Sequence, residues 1–196
     1  MISLYTKEVE GVWFGVTCDD EKVFATGFGS SKKKIMQDLL SCLPFDAPFQ
    51  QAEKVSGFAE RVIDLMKGIY DGKDVSSSVP LTMDHLPDYT QRVLKVTMLI
   101  PSGYVASYGA VAKTVGGNPR SVGSVMASNP FAPIVPCHRV VGSDFSLVGY
   151  GGGLANKLAF LKREKKGFTS KREISVDGRK LIAFPAELAL KKAEKK

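Results

Sequence analysis

Between residues 107 and 130 the chain reads SYGAVAKTVGGNPRSVGSVMASNP, two short runs of helical periodicity divided by Gly-Gly-Asn-Pro. Ser107 offers a cap to the first run, and Asn129-Pro130 closes the second. Two glycines and a proline break any continuous helix across this stretch. The expectation is a helix, a tight turn and a second helix, a helix-turn-helix signature when it lies in a basic region.

The region is basic. Residues 1 to 80 hold 9 Lys/Arg against 12 Asp/Glu, and residues 81 to 196 hold 18 against 8. Such polarity predicts that only the second part meets a polyanion, with nucleic acid the commonest candidate. A solvated surface with a Lys-rich tail explains the same numbers.

Upstream, VWFGVTC and KVFATGFG predict a hairpin turning at DDE, followed by helices over SSKKKIMQDLLSCL and SGFAERVIDLMKGIYDG. KDVSSSVPLTMDHLP reads as a strand plus linker, and a domain boundary is placed there. DYTQRVLKVTMLIPSG predicts a helix starting at Asp88, and GGGLANKLAFLKREKKG a glycine loop entering a basic helix. ISVDGRKLIAF predicts a hairpin at Asp177-Gly178, with a Lys-rich tail after it. With 44% hydrophobic residues the 196-residue chain can bury a core. No apolar run of about 18 residues and no signal-peptide layout appear, so the cell interior is expected.

The second helix of the pair begins at Arg120 and continues Ser121, Val122, Gly123, Ser124, Val125, Met126, Ala127. Only Arg120 is long enough to read base edges in a major groove, so sequence-specific readout is not expected. A face of Gly, Ser and Ala suits a minor groove about 6 Å wide. The other reading is that Gly123 and Ala127 let this helix pack closely on a neighbour.

Three cysteines, Cys18, Cys42 and Cys137, are too few and too scattered for a disulfide framework, and His85 and His138 are too few for zinc. Cys18 and Cys42 fall within apolar patterns and are read as core, and His85 as surface. Cys137 sits in PCHRV: His138 can serve as base, Arg139 adds positive potential and Pro136 fixes the chain's entry. Neighbouring side chains diverge, so Cys137 and His138 need a sharp turn or a bridging water, and His138 needs a carboxylate to orient it. A buried, inert cysteine is the competing reading.

PCHRV behind Asn129-Pro130, the RSVGSVM helix, PSGYVASYGAVA and GYGGGLANKLAFL, taken in order over roughly residues 89 to 165, resemble the O6-alkylguanine-DNA alkyltransferases. The resemblance implies that Cys137 accepts the alkyl group, with His138 acting through water as its base and Glu164 orienting the histidine. It implies that Arg120 replaces an extruded base, that Tyr108 turns out the nucleotide and bonds the guanine ring, and that Asn129 braces the active-site turn. Met126 and Tyr150 would wall the pocket, the carbonyls of Cys137 and Val140 and the amide of Gly151 would read the guanine, and Ser143 and Lys157 would be phosphate or pocket neighbours. In this chain Asn118-Pro119 leads straight to Arg120, and Glu164 is followed by KKG instead of an immediate glycine.

The expected architecture is α+β/α: an amino-terminal α/β domain (antiparallel sheet with helices) over 1–80, a mainly helical helix-turn-helix alkyltransferase domain over 81–168, and a hairpin and basic tail over 169–196. The expected activity is single-turnover transfer of the alkyl group from O6-alkylguanine to Cys137, with O4-alkylthymine left open as a substrate. The expected partner is double-stranded DNA, met by a cytoplasmic, nucleoid-associated or nuclear monomer that uses no cofactor, metal or membrane. A non-catalytic sensor of alkylguanine and a cysteine hydrolase stand as alternatives.

Overall fold

The computed structural model describes residues 1–44, 46–52, 55–75 and 79–195. The chain forms two units. The first comprises Met1–Tyr70, Asp74–Leu86 and Pro130–Ile134, and the second Asp71–Lys73, Pro87–Asn129 and Val135–Lys196. Part of the expected linker, Ser76 to Ser78, lies outside the described residues.

In the first unit, β1 (Ile2–Val9), β2 (Val12–Cys18), β3 (Val23–Gly29) and β4 (Phe49–Gln51) form a sheet in the order β3-β2-β1-β4. The hairpin expected from sequence is β2 and β3. Asp19 Oδ1 shapes its turn by accepting from the amides of Glu21 and Lys22 at 2.9 and 2.7 Å. Strand β1 was not expected. It joins β2 through Glu10-Gly11, both at positive φ (51° and 78°), the geometry of a two-residue hairpin turn. The sheet is not purely antiparallel, because β4 runs parallel to β1.

Helix α1 (Lys32–Ser41) is capped by Ser31, whose side chain accepts from the Lys34 amide. Its Ile35 and Leu39 pack on Leu4 and Ala25, and burial of each contributes about 1.5–3 kcal/mol. Gly15 permits the approach, since a Cβ there would lie 2.7 Å from both side chains. Helix α2 (Gly57–Tyr70) buries Val62, Ile63 and Met66. Cys18 is fully buried, whereas Cys42 is only partly so. Segment 130–134 docks on β3, with the Thr26 amide donating to Pro130 O at 2.8 Å and the Thr26 hydroxyl to Ala132 O at 2.9 Å.

The second unit contains α3 (Asp88–Met98), β5 (Tyr104–Ser107), α4 (Tyr108–Val115), α5 (Pro119–Ala127), a 3-10 turn at Cys137–Arg139, β6 (Val140–Val141), α6 (Leu154–Arg163), β7 (Arg172–Val176), β8 (Arg179–Pro185) and α7 (Ala186–Glu194). It is less helical than expected, because a four-stranded sheet of order β6-β5-β8-β7 runs through it. The expected carboxy-terminal hairpin is β7 and β8, turning at Asp177-Gly178 with φ of 46° and 75°. The supposed tail is helix α7, whose Ala186, Ala189 and Leu190 pack with Val105, Val141 and Leu161. Among the described residues, no helix is long and apolar enough to cross a membrane.

Candidate active site

Ser107 ends β5 and caps α4, its hydroxyl accepting from the Ala110 amide at 3.0 Å, which places Tyr108 as the first helical residue. Asn118 caps α5 in the same way, accepting from the Ser121 amide at 3.0 Å, with Pro119 at the first helical position and the exposed Arg120 next. Gly117 between the two helices has φ of 148°, and a Cβ there would collide with the Tyr89 hydroxyl.

Helix α5 buries Val122, Val125 and Met126. Gly123 and Ala127 line a cavity of about 650 Å³ instead of a helix contact. A Cβ on Gly123 would come no nearer than 4.0 Å to the Tyr108 ring, so tight helix packing is not the reason for this glycine. The cavity collects Tyr108, Arg120, Met126, Cys137, Ser143, Tyr150 and Gly151 from the sequence expectations.

Cys137 opens the 3-10 turn, its amide donating to Val135 O at 2.8 Å and its carbonyl accepting from the Val140 amide. Asn129 Nδ2 donates to Val135 O at 2.9 Å and holds the approach to the turn. Burial pushes the Cys137 thiol up, against the opposing pull of hydrogen bonds from Asn129 and Tyr150 and of the Lys157 charge. Val140 is fully buried and pairs with Ala106 in the sheet.

Behind the turn, His138 Nε2 lies 2.9 Å from Glu164 Oε1, and neither residue is more than 1% exposed. Burial holds the His138 pKa below its ordinary 6.5 although Glu164 opposes this. Burial would raise Glu164, but His138 and Arg139 prevail and bring it down to about 2. A neutral histidine facing an ionised carboxylate must donate from Nε2, so Nδ1 carries the lone pair. Nδ1 is buried and has no hydrogen-bond partner among the described residues. The ring stacks on Phe160 with centroids 4.4 Å apart.

Arg139 does not lend its charge to Cys137 as expected. It grips Glu164 through Nε at 3.2 and 2.9 Å and through Nη2 at 2.7 Å, and donates from Nη1 to Ile100 O at 2.6 Å. The cation that acts on Cys137 is Lys157, fully buried, with Nζ donating to Val148 O at 3.0 Å and Gly149 O at 3.2 Å. That burial rules out the phosphate contact considered from sequence and brings its pKa down to about 8. Phe160 and Leu161, three and four residues on, were the available signal that Lys157 faces inward. Tyr108 donates its hydroxyl to Val148 O at 3.1 Å, with the Lys157 ammonium 5.7 Å from its ring centroid. Burial pushes the Tyr108 phenol up to about 12. His85 is exposed and distant in the sequence from this cluster. Among the described residues no group of His, Cys, Asp and Glu could hold a metal ion.

Residues 88–166 match the model of the 6-O-methylguanine DNA methyltransferase DNA-binding domain. The chain is 49% identical over 80 residues to the methylated-DNA-protein-cysteine methyltransferase of Mycobacterium leprae, covering 40% of this chain and 48% of that protein. It is 41% identical over 105 residues to that of Mycobacterium tuberculosis, covering 53% and 63%. The matched part thus spans about half to three-fifths of these relatives' length. The crystal structure of Mycobacterium tuberculosis OGT in complex with DNA superposes with a TM-score of 0.66 at 27% identity, over 83% of this chain and 92% of that one. The O6-methylguanine-DNA methyltransferase of Pyrococcus kodakaraensis gives 0.64 at 27% identity, over 84% and 99%. Motif order, fold and family match converge on residues 88–166, the part of the chain that is similar to the O6-alkylguanine-DNA alkyltransferases.

Proposed function

We propose that this protein repairs O6-alkylguanine in double-stranded DNA by moving the alkyl group irreversibly onto Cys137. The observation that carries this reading is a thiol on the wall of a base-sized cavity, with Arg120 at the cavity's edge and a His138-Glu164 pair behind it. Helices α4 and α5 act as a helix-turn-helix whose small-residue face enters the minor groove, with Arg120 filling the gap left by the extruded nucleotide. Extrusion costs a few kcal/mol, less for a lesion that pairs badly.

In the transfer step the Cys137 sulfur bonds the alkyl carbon as the carbon-O6 bond breaks, and that bond's electron pair stays with guanine. The thiol proton passes through a bridging water to His138 Nδ1, whose tautomer Glu164 fixes. Guanine takes a proton from Tyr108, which leaves Val148 O for the base and regains a proton from the His138 side. Asn129 braces the turn. Met126 and Tyr150 wall the base, and the Cys137 and Val140 carbonyls and Gly151 amide read its edges. Ser143 lies at the rim, and Lys157 supports the thiolate. The thioether offers water no polar bond to open, so each molecule reacts once, without cofactor or metal.

In this reading residues 1–80 form the amino-terminal domain, 81–168 the alkyltransferase domain and 169–196 an extension, in a monomer of the cytoplasm or nucleoid. The test is a duplex carrying methyl-labelled O6-methylguanine. Label should reach Cys137 at no more than one equivalent, and Cys137→Ala should abolish transfer while DNA binding persists. Continual release of label into solution would overturn single turnover.

A further inference from the structure

A second cavity in the same unit, of about 560 Å³, lies among α3, the end of α4 and the β7-β8 hairpin. Its charged lining is Arg92 and Lys95 from α3, Arg179 from β8 and one carboxylate, Asp177. Four lysines elsewhere have acidic partners: Lys7 with Glu60, Lys34 with Asp38, Lys180 with Glu173 and Lys192 with Asp144. Among the described residues, none of the three cations here has a carboxylate within 4.0 Å. The contrast within the hairpin is direct, since Lys180 is neutralised at 2.8 Å while its neighbour Arg179 is not.

Arg179 is also fixed in place. Its Nη1 donates to Thr114 O at 2.9 Å, at the carboxyl end of α4, and lies 3.8 Å from where a Gly116 Cβ would stand. One of five guanidinium donors is thereby used and four remain. Arg92 sits 5.8 Å from the centroid of Tyr89, the ring against Gly117. Arg92 and Arg179 therefore flank the three-residue turn that leads into α5, the helix bearing Arg120. An unneutralised groove of this kind suits a chain of phosphates, because planar guanidiniums and a flexible ammonium bind them without reading bases.

We propose that this groove binds the phosphodiester backbone of the DNA duplex, through residues 175–179 beyond the matched 88–166 segment as well as through α3. The proposal rests on the duplex reading above. It lengthens the protein's footprint past the alkyl-accepting cavity and gives the carboxy-terminal hairpin a role in affinity without a role in base choice.

The test is duplex binding as a function of salt, run beside reaction with free O6-benzylguanine. Each lost phosphate contact lowers the log-log salt slope by about one. Arg92→Gln with Lys95→Gln should lower it by about two and weaken binding roughly tenfold at fixed salt, with free-base reaction unchanged. Ser175→Glu, which adds a carboxylate on the hairpin side, should weaken binding while Ser175→Gln does not. Lys22→Gln with Lys33→Gln, two exposed charges of the first unit, should leave the slope intact. An unchanged slope in the α3 pair, or an equal fall in both pairs, would overturn the groove and leave the alkyltransferase reading standing. Wild-type protein inert to free O6-benzylguanine would count against that reading alone, because the slopes are measured on unmodified duplex.

Discussion

Glu164 accepts hydrogen bonds from His138 and from Arg139 through the same oxygen, Oε1, at 2.9 and 2.7 Å, so one carboxylate orients the base and neutralises a cation. Removing its charge leaves Arg139, whose side chain is 11% exposed, without an anion. Glu164→Gln should therefore cost about 3 kcal/mol or more in urea unfolding. Adding Arg139→Met should recover part of that stability but none of the transfer, which should be down about 100-fold. A stability loss under about 1 kcal/mol would contradict the pairing.

Acid stability follows from the same groups. His138 and Glu164 both have folded pKa values below their ordinary 6.5 and 4.5, Glu164 at about 2. The unfolded chain therefore takes up protons that the native state refuses. Stability should be full above about pH 6.5 and decline as pH falls, first through His138 and then through Glu164 between 4.5 and about 2. Urea midpoints at pH 7, 5.5 and 4 measure this, and a flat series would be the contrary result.

Burial raises the Cys137 thiol above its ordinary 9.0 and the Lys157 charge opposes it. In a Cys42→Ser background, alkylation of Cys137 by iodoacetamide should keep accelerating beyond pH 9. Cys18 stays silent because it is buried and its thiol is raised to about 12. Lys157→Met should slow alkylation of Cys137 below about pH 8, where the ammonium is still charged, and a rate left unchanged there would deny Lys157 its electrostatic part.

Arg120 is exposed at the head of α5 and lines the cavity. Arg120→Ala should slow transfer from an alkylated duplex far more than reaction with free O6-benzylguanine, which needs no base extruded. Stopped-flow rates with the two substrates decide it, since equal losses would mean that Arg120 acts on the guanine and not on the duplex.

Local signals carried most of what was legible in the sequence. Ser107 and Asn118 cap α4 and α5 where a short polar side chain precedes an apolar run, and Asp177-Gly178 marks its hairpin by positive φ. Strand β5 was not legible, because four residues become a strand only by pairing with Val140 and with Phe184 and Pro185, far away in the chain. Helix α7 was hidden by its lysines, although Ala186, Ala189 and Leu190 hold the spacing of a buried helical face. At the site, Cys137 and His138 called for an orienting carboxylate, and only the family resemblance singled out Glu164. The grip of Arg139 on Glu164 had no such signal, since no spacing rule aims a guanidinium across 25 residues.

The seclusion of the His138-Glu164-Arg139 cluster separates two responses to the medium. Mobile ions screen charges that water reaches, over about 10 Å at 0.1 M salt, but a cluster this far from solvent has little ionic atmosphere to lose. Brine should thus govern how often the protein is seated on its duplex, while the speed of the step taken once seated stays nearly constant.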